Sequence, residues 1–326
     1  MEKKLLTHEI PVGVVGLGLM GSSIVAALLV AGHPVKAIAP VQSDLLNIHD
    51  RIKSQLLLCK DAGLISDEAH TYLNRLDISD DYTQLAPCAL VLECVIEDPE
   101  IKKAVYLKIT RVVGSDTVLA SNTSAIPISQ LQQFVERPER FLGIHWAEPA
   151  FMTRFLEITC GQQTDPDLAN RIYRLAHHWG KEPTLLRKDI RGFITNRLMY
   201  AVYREIFSML NKGTATAEDL DKSFRYDAGS WMTLMGVFRR MDYLGLDDFK
   251  TAFERIFPRL DNSTDVPPVM EEIVRRDGRG IHNGTGLYPY KEGEALKWDR
   301  AFSQFSSEIH ELATRYSADA IAEKLK

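Results

Sequence analysis

The chain opens its regular pattern with Val12–Val15, a short apolar and mostly β-branched run that predicts a buried strand. A glycine-rich turn follows, and residues 22–31 then read as a helix that stops at Gly32. Residues 34–38 predict a second strand. Residues 44–60 and 66–75 read as two helices around the break Asp61-Ala62-Gly63, an insertion after that strand. Residues 88–96 carry Val91, Leu92, Val95 and Ile96, the pattern of a central parallel strand covered on both faces. Glu97-Asp98-Pro99 ends this run and residues 100–113 follow as a helix. Residues 117–120, 141–146 and 155–159 predict further strands, and residues 166–179 a further helix. Strands that alternate with helices imply an α/β fold with a doubly wound, mostly parallel sheet over residues 1–187.

From about residue 188 the strand signals cease. Residues 193–210 read as a helix with two apolar stripes, Ile194, Leu198, Val202, Ile206 and Leu210 on one and Met199, Tyr200, Tyr203 and Phe207 on the other, with Asn196 on the second. A helix apolar on two sides needs cover on both, from the first domain or from a second subunit. Helical patterns continue to the C-terminus, interrupted by the glycine-rich residues 278–286 and ending in a helical tail over 294–326. The expected organisation is therefore an α/β domain, 1–187, followed by an all-helical domain, 188–326. The 326 residues allow each a core of its own.

Composition narrows the class. The chain is 45% hydrophobic and 25% charged with a net charge of −5, so no basic field invites nucleic acid or an anionic membrane surface. Neither a secretory signal nor a bilayer-spanning run stands out, and Cys59, Cys88, Cys94 and Cys160 lack C-x-x-C spacing. Reduced thiols and a cytoplasmic location are expected. No ligand cluster suggests a metal, and the neighbours His177 and His178 point in different directions on a helix.

Gly16, Gly18 and Gly21 fall in G-x-G-x-x-G spacing between the first strand and the first helix. The first glycine permits a tight turn, the second lets a pyrophosphate approach the backbone, and the third lets helix and strand pack closely. The helix N-terminus then faces the phosphates, so the stretch predicts dinucleotide binding. A carboxylate usually closes the second strand of such a fold to grip the ribose 2′-hydroxyl. Here Ala39-Pro40 stands in its place, with Gln42 or Ser43 as weaker partners; no arginine stands there for a 2′-phosphate, so the motif favours NAD over NADP.

With these motifs in order, the sequence resembles the 3-hydroxyacyl-CoA dehydrogenase family across most of its length. The resemblance rests on Gly16–Gly21, on Ser121-Asn122-Thr123-Ser124, and on His145 with Glu157 twelve residues on. It continues through Asp189-Ile190-Arg191-Gly192-Phe193-Ile194-Thr195-Asn196, Asp242-Tyr243-Leu244-Gly245-Leu246-Asp247 and Gly284-Thr285-Gly286. It implies a Rossmann-type first domain and a dimerising helical second domain. His145 would be the general base, Glu157 its partner, and Ser124 and Asn196 donors to the substrate's oxygens. Gly16, Gly18, Leu19, Met20, Gly21, Glu97, Lys102 and Asn122 would lie on the cofactor.

The chain departs from the family in places. Glu148 stands where asparagine is usual, and a carboxylate near the base implies altered substrate choice. The second helix, with Arg51, Lys53 and Lys60, has fewer cations than coenzyme A phosphates usually meet. Leu234-Met235-Gly236-Val237 replaces a proline-glycine-proline turn. The resemblance thus leads to NAD-dependent oxidation of an L-3-hydroxyacyl-CoA. The alternatives are a dehydrogenase of free 3-hydroxy acids, such as L-gulonate or carnitine, and a dinucleotide-binding protein without turnover. A homodimer is the expected assembly.

Overall fold

The computed structural model describes residues 9–316 and 320–321. The chain divides into two compact units, Met1–Thr195 and Asn196–Lys326.

In the first unit the strands are β1 (Val12–Val15), β2 (Val35–Ile38), β3 (Leu76–Ser79), β4 (Leu90–Glu93), β5 (Val118–Ser121), β6 (Phe141–Trp146), β7 (Phe155–Cys160) and β8 (Glu182–Leu186). They form one eight-stranded sheet in the order β3-β2-β1-β4-β5-β6-β7-β8, parallel except where β7 runs against β6. The helices are α1 (Leu19–Val30), α2 (Ile48–Asp61), α3 (Ala69–Leu73), α4 (Pro99–Thr110), α5 (Ile128–Leu131) and α6 (Pro166–His178). One face of the sheet packs residues such as Val12, Val14, Leu92 and Ile144 with α1, α2 and α6; the other packs Val15, Val91 and Phe141 with Val105, Tyr106 and Ile109 of α4. The doubly wound fold expected from the sequence is the one observed.

Several boundaries differ from the sequence reading. Helix α1 starts at Leu19 rather than 22, because Gly18 serves as its N-cap and the glycine and serines lie in the first two turns. The helix expected over 44–60 is split: a 3₁₀ turn, Gln42–Leu45, is set off from α2 by Asn47 in the left-handed conformation at φ 60°. That expected over 66–75 shrinks to α3, and the chain goes straight on into β3, an edge strand the sequence pattern did not predict. Strand β8 was not predicted either; its Pro183 is compatible with an edge position, since β8 pairs only with β7.

The second unit contains α7 (Thr195–Asn211), α8 (Ala217–Ser223), a π-helical turn (Phe224–Ala228), α9 (Gly229–Leu244), α10 (Leu246–Ile256), α11 (Pro268–Arg275) and α12 (Glu294–Arg315). Helix α7 begins at Thr195 rather than 193, since Phe193 holds a left-handed φ of 48°. Helix α9 bends at Gly236, φ 70°. The expected helical tail over 294–326 is observed as α12; residues 317–319 and 322–326 lie outside the described residues. Among the described residues no helix is long and apolar enough to cross a membrane.

Candidate active site

Strand order reverses between β1 and β4, and in such sheets ligands bind beyond the carboxyl ends of the strands at that switch. The glycine turn sits there. Gly16 has φ 96°, and a Cβ on it would meet the Cys94 carbonyl carbon at 2.8 Å. A Cβ on Gly21 would lie 1.8 Å from the Gly16 carbonyl oxygen, so helix and turn touch backbone to backbone. Gly18 faces open space. Helix α1 has no side-chain cap and no acid in its first turn, so its N-terminal N–H groups and dipole are left for an anion. Leu19 is exposed and Met20 half-buried beside this cradle. Arg51 of α2 donates to the Leu17 carbonyl at 3.1 Å. Gln42 and Ser43 are exposed just beyond β2. The turn thus fits a dinucleotide pyrophosphate, with open space at Gly18 and a helix held close by Gly21.

The residues after β4 build a second layer. Glu93, fully buried, accepts from Lys102 Nζ and the Val95 N–H with Oε1, both at 2.8 Å, and from the Tyr106 and Ser121 hydroxyls with Oε2, both at 2.7 Å. Four donors satisfy a carboxylate that burial would otherwise penalise heavily. Lys102, 1% exposed, also lies 3.3 Å from Glu97 Oε2. Glu97 Oε1 in turn accepts from the Thr123 hydroxyl, the Ser124 N–H at 3.0 Å and the Ala125 N–H at 3.2 Å. Burial would raise the Glu97 carboxyl, but the Thr123 hydroxyl, Lys102 and the two N–H groups outweigh it and hold it below its ordinary value. Glu97, Lys102 and Ser124 are therefore brought together, with Glu97 gripping the turn that carries Ser124. Asn122 is held too: its Oδ1 accepts from the Trp146 N–H at 2.9 Å, tying the end of β5 to the end of β6. Glu93 was absent from the sequence reading, because a charged residue inside an apolar run gives no periodic signal of its own.

His145 and Glu157 sit directly opposite each other in the antiparallel β6–β7 pair. That register explains their spacing of twelve. His145 Nδ1 lies 2.9 Å from Glu157 Oε2, while Glu157 Oε1 accepts from the Ile194 N–H at 2.9 Å and the Thr195 N–H at 3.2 Å. Glu157 is fully buried. Burial pushes its carboxyl up, yet the His145 hydrogen bond and then the Thr195 and Ile194 N–H groups bring it net below the usual value. An ionised carboxylate only accepts, so Nδ1 carries the proton and Nε2 is the nitrogen free to take one. Phe193, buried at φ 48°, places its ring 5.8 Å from the imidazole. Left-handed backbone at a non-glycine residue costs on the order of 1–3 kcal/mol and collects at functional sites. Glu148, on the loop after His145, is exposed. Asn196 opens the second unit, one residue beyond the Thr195 N–H that Glu157 holds.

A switch-point glycine turn beside a strand-borne histidine–carboxylate pair defines a two-domain dehydrogenase fold of the dinucleotide-binding class. Residues 11–190 match the family model described as the 3-hydroxyacyl-CoA dehydrogenase NAD binding domain, and residues 192–290 match that family's C-terminal domain. The chain belongs to the 3-hydroxyacyl-CoA dehydrogenase family, and its cofactor is NAD. It is 32% identical over 294 residues to the 5-formyl-3-hydroxy-2-methylpyridine 4-carboxylate 5-dehydrogenase of Mesorhizobium japonicum, covering 89% of this chain and 94% of that one. The crystal structure of a 5-dehydrogenase of that same pyridine acid, described as an NAD+ dependent dismutase, superposes with a TM-score of 0.87 at 28% identity, over 95% of this chain and all of that one. The (S)-3-hydroxybutyryl-CoA dehydrogenase of Ralstonia eutropha gives a TM-score of 0.72 at 26% identity, over 87% and 100%.

Proposed function

We propose that the protein is an NAD-dependent oxidoreductase that interconverts a hydroxyl and a carbonyl on a small acid, with His145 as the base. The observation that carries this reading is the His145–Glu157 pair, with the carboxylate fully buried and fixed by two backbone N–H groups. In the oxidative direction Nε2 of His145 takes the hydroxyl proton while the carbon-bound hydrogen leaves with its electron pair. NAD supplies the acceptor of that hydride. Glu157 holds the ring in the Nδ1–H tautomer and stabilises the imidazolium that forms. Ser124, on the turn gripped by Glu97, and Asn196 donate to the substrate's oxygen atoms. Glu97 and Asn122 line the cofactor side, beyond Gly16, Gly18, Leu19, Met20 and Gly21, and the buried Lys102 stands behind Glu97.

The substrate in this reading is a free hydroxy acid, or an aldehyde acid reacting as its hydrate, whose hydroxyl gives the proton and whose C–H gives the hydride, without coenzyme A. Two of the three cations on α2 are engaged within the protein, Arg51 with the Leu17 carbonyl and Lys60 with Glu68, which leaves little to grip coenzyme A phosphates. The higher structural similarity to the pyridine-acid enzyme supports the same assignment. An L-3-hydroxyacyl-CoA is the second reading, supported by the family models over both domains. Absorbance at 340 nm separates them. NAD reduction with 3-hydroxybutyrate, L-gulonate, carnitine or the pyridine aldehyde acid supports the first reading. NADH oxidation by acetoacetyl-CoA alone would replace it with the second. Silence throughout, with NADH still bound, would leave a dinucleotide-binding protein without turnover. Glu148→Asn tests the loop: we expect the ranking of these substrates to change, and an unchanged ranking would remove Glu148 from substrate choice.

The second unit supports a homodimer. No residue of α9, α10 or α11 is buried in the single chain, and Phe238, Tyr243 and Leu246 are 81%, 75% and 59% exposed. Three helices with apolar residues and no core of their own need a partner surface. Sedimentation at micromolar concentration is expected to give twice the 36.8 kDa chain mass, and Phe238→Asp to shift it toward one. A wild-type monomer would contradict this.

A further inference from the structure

The loop between β6 and β7 carries Glu148 and joins the strand of His145 to that of Glu157. Within it the Met152 and Thr153 N–H groups reach the Pro149 carbonyl, both at 3.0 Å, and the Thr153 hydroxyl donates to the Ala147 carbonyl at 2.9 Å, while at its end the Arg154 carbonyl accepts from the Glu182 N–H at 2.7 Å. Two side chains from elsewhere pin it. Ser23 of α1, 2% exposed, accepts from the Ala150 N–H at 2.7 Å. Lys181, 4% exposed at the junction of α6 and β8, donates to the Ala150 carbonyl at 2.6 Å and to the Thr153 carbonyl at 2.5 Å. Its ammonium lies 5.3 Å from the centre of the Trp146 ring, which stacks on Trp179.

A buried ammonium normally has a carboxylate beside it. Among the described residues none lies within ion-pair distance of Lys181 Nζ. Two carbonyls and an indole face hold the charge instead, and both carbonyls belong to this one loop. We propose that Lys181 is a positioning residue that clamps the 147–154 loop, and with it Glu148, against the base, with Ser23 as the second anchor on the cofactor-binding helix. This rests on the dehydrogenase reading of His145.

Protonation makes the clamp conditional. Burial pulls the Lys181 ammonium down to about 8; the nearby Cys59 on α2 raises it and Arg154 on the loop, itself paired with Glu182, lowers it. The folded protein therefore releases this proton before the unfolded chain does. Between about pH 8 and the ordinary 10.5 the cost of burying the charge is relieved and stability rises with pH, while the clamp is lost. Holding a cation there at neutral pH costs stability, as expected of a group retained for positioning.

The test uses the full chain with Lys181→Met, which keeps the stem and removes the charge, and Ser23→Ala. With whichever acid turns over, Lys181→Met should raise KM about tenfold or more while kcat and NADH affinity stay within about threefold. Wild-type KM should climb above pH 8, and that climb should be absent in Lys181→Met. Ser23→Ala should raise KM and keep the climb, which tests the loop even where the lysine variant fails to fold. An unchanged KM in both variants, or the same climb in Lys181→Met, would overturn the clamp. Tryptophan emission needs no turnover: a transition near pH 8 in the wild type that vanishes in Lys181→Met supports the clamp, and one that persists refutes it. Failure of every substrate with this transition intact would therefore sink the dehydrogenase reading alone.

Discussion

Exchanging His145 for glutamine is expected to lower kcat by about 10²–10⁴-fold, the range a positioned general base supplies. NADH affinity should stay within about twofold, because the cradle at Gly16–Gly21 is built from other elements and the lost interaction acts in the transition state. Stopped-flow measurement of hydride transfer, with a parallel NADH fluorescence titration, checks both halves. Glutamine is chosen because its amide can still donate toward Glu157, so the buried carboxylate keeps a partner. Glu157→Gln turns the carboxylate into an amide whose oxygen the Ile194 and Thr195 N–H groups engage, so its NH2 group faces Nδ1 and favours the wrong tautomer; kcat should fall by about 10⁴-fold, as for the same exchange in a hydrolytic triad. If His145→Gln retained full turnover, the base would have to be sought elsewhere.

The residues that make this prediction possible were legible to different degrees. The glycine spacing, β1 and the long run of β4 could be read directly, because a central parallel strand is apolar on both faces and the turn has few solutions. The expected strands over 141–146 and 155–159 placed His145 and Glu157 in neighbouring segments. Their partnership came from family resemblance, since neither residue type announces a cross-strand register; the antiparallel pairing supplies the reason. Strand β3 was hidden because its alternation, Leu76-Asp77-Ile78-Ser79, lasts only four residues directly behind a short helix, and β8 because it opens Glu182-Pro183. The charged interior was least visible. Glu93, Lys102 and Lys181 are chemically ordinary surface residues in a linear reading, and only the fold shows that hydroxyls, N–H groups and carbonyls converge to satisfy them. The two apolar stripes of α7 predict cover on both sides, but in the single chain only Ser208 of that helix is buried. A sequence records that a face wants cover without recording which molecule provides it.

Gly21→Ala is expected to have the second large effect, and it reaches folding as well as binding. The added methyl would stand 1.8 Å from the Gly16 carbonyl oxygen and 2.8 Å from its carbon, far inside the 3.4 Å of ordinary contact. Both atoms are backbone of the turn that β1 and β2 fix, since the Gly16 N–H donates to the Ile38 carbonyl at 2.9 Å. No side chain can swing aside. Helix α1 must therefore retreat from the sheet, and its buried Ile24, Val25, Leu28 and Leu29 retreat with it. Overpacking a core by one carbon typically costs about 1–3 kcal/mol, and a backbone obstacle puts this site at or above the upper end. Gly18→Ala is the matched control: φ is −64° and nothing lies within 4 Å, so the fold should tolerate the methyl. That methyl would occupy the open space left for the pyrophosphate, so NADH affinity should fall about tenfold or more with an unchanged melting temperature. Calorimetric melting and NADH titration on the two variants separate the roles. A Gly21→Ala protein that melts with the wild type would show that α1 can move off β1 freely, and the close helix–strand contact would then not be what shapes the cofactor site.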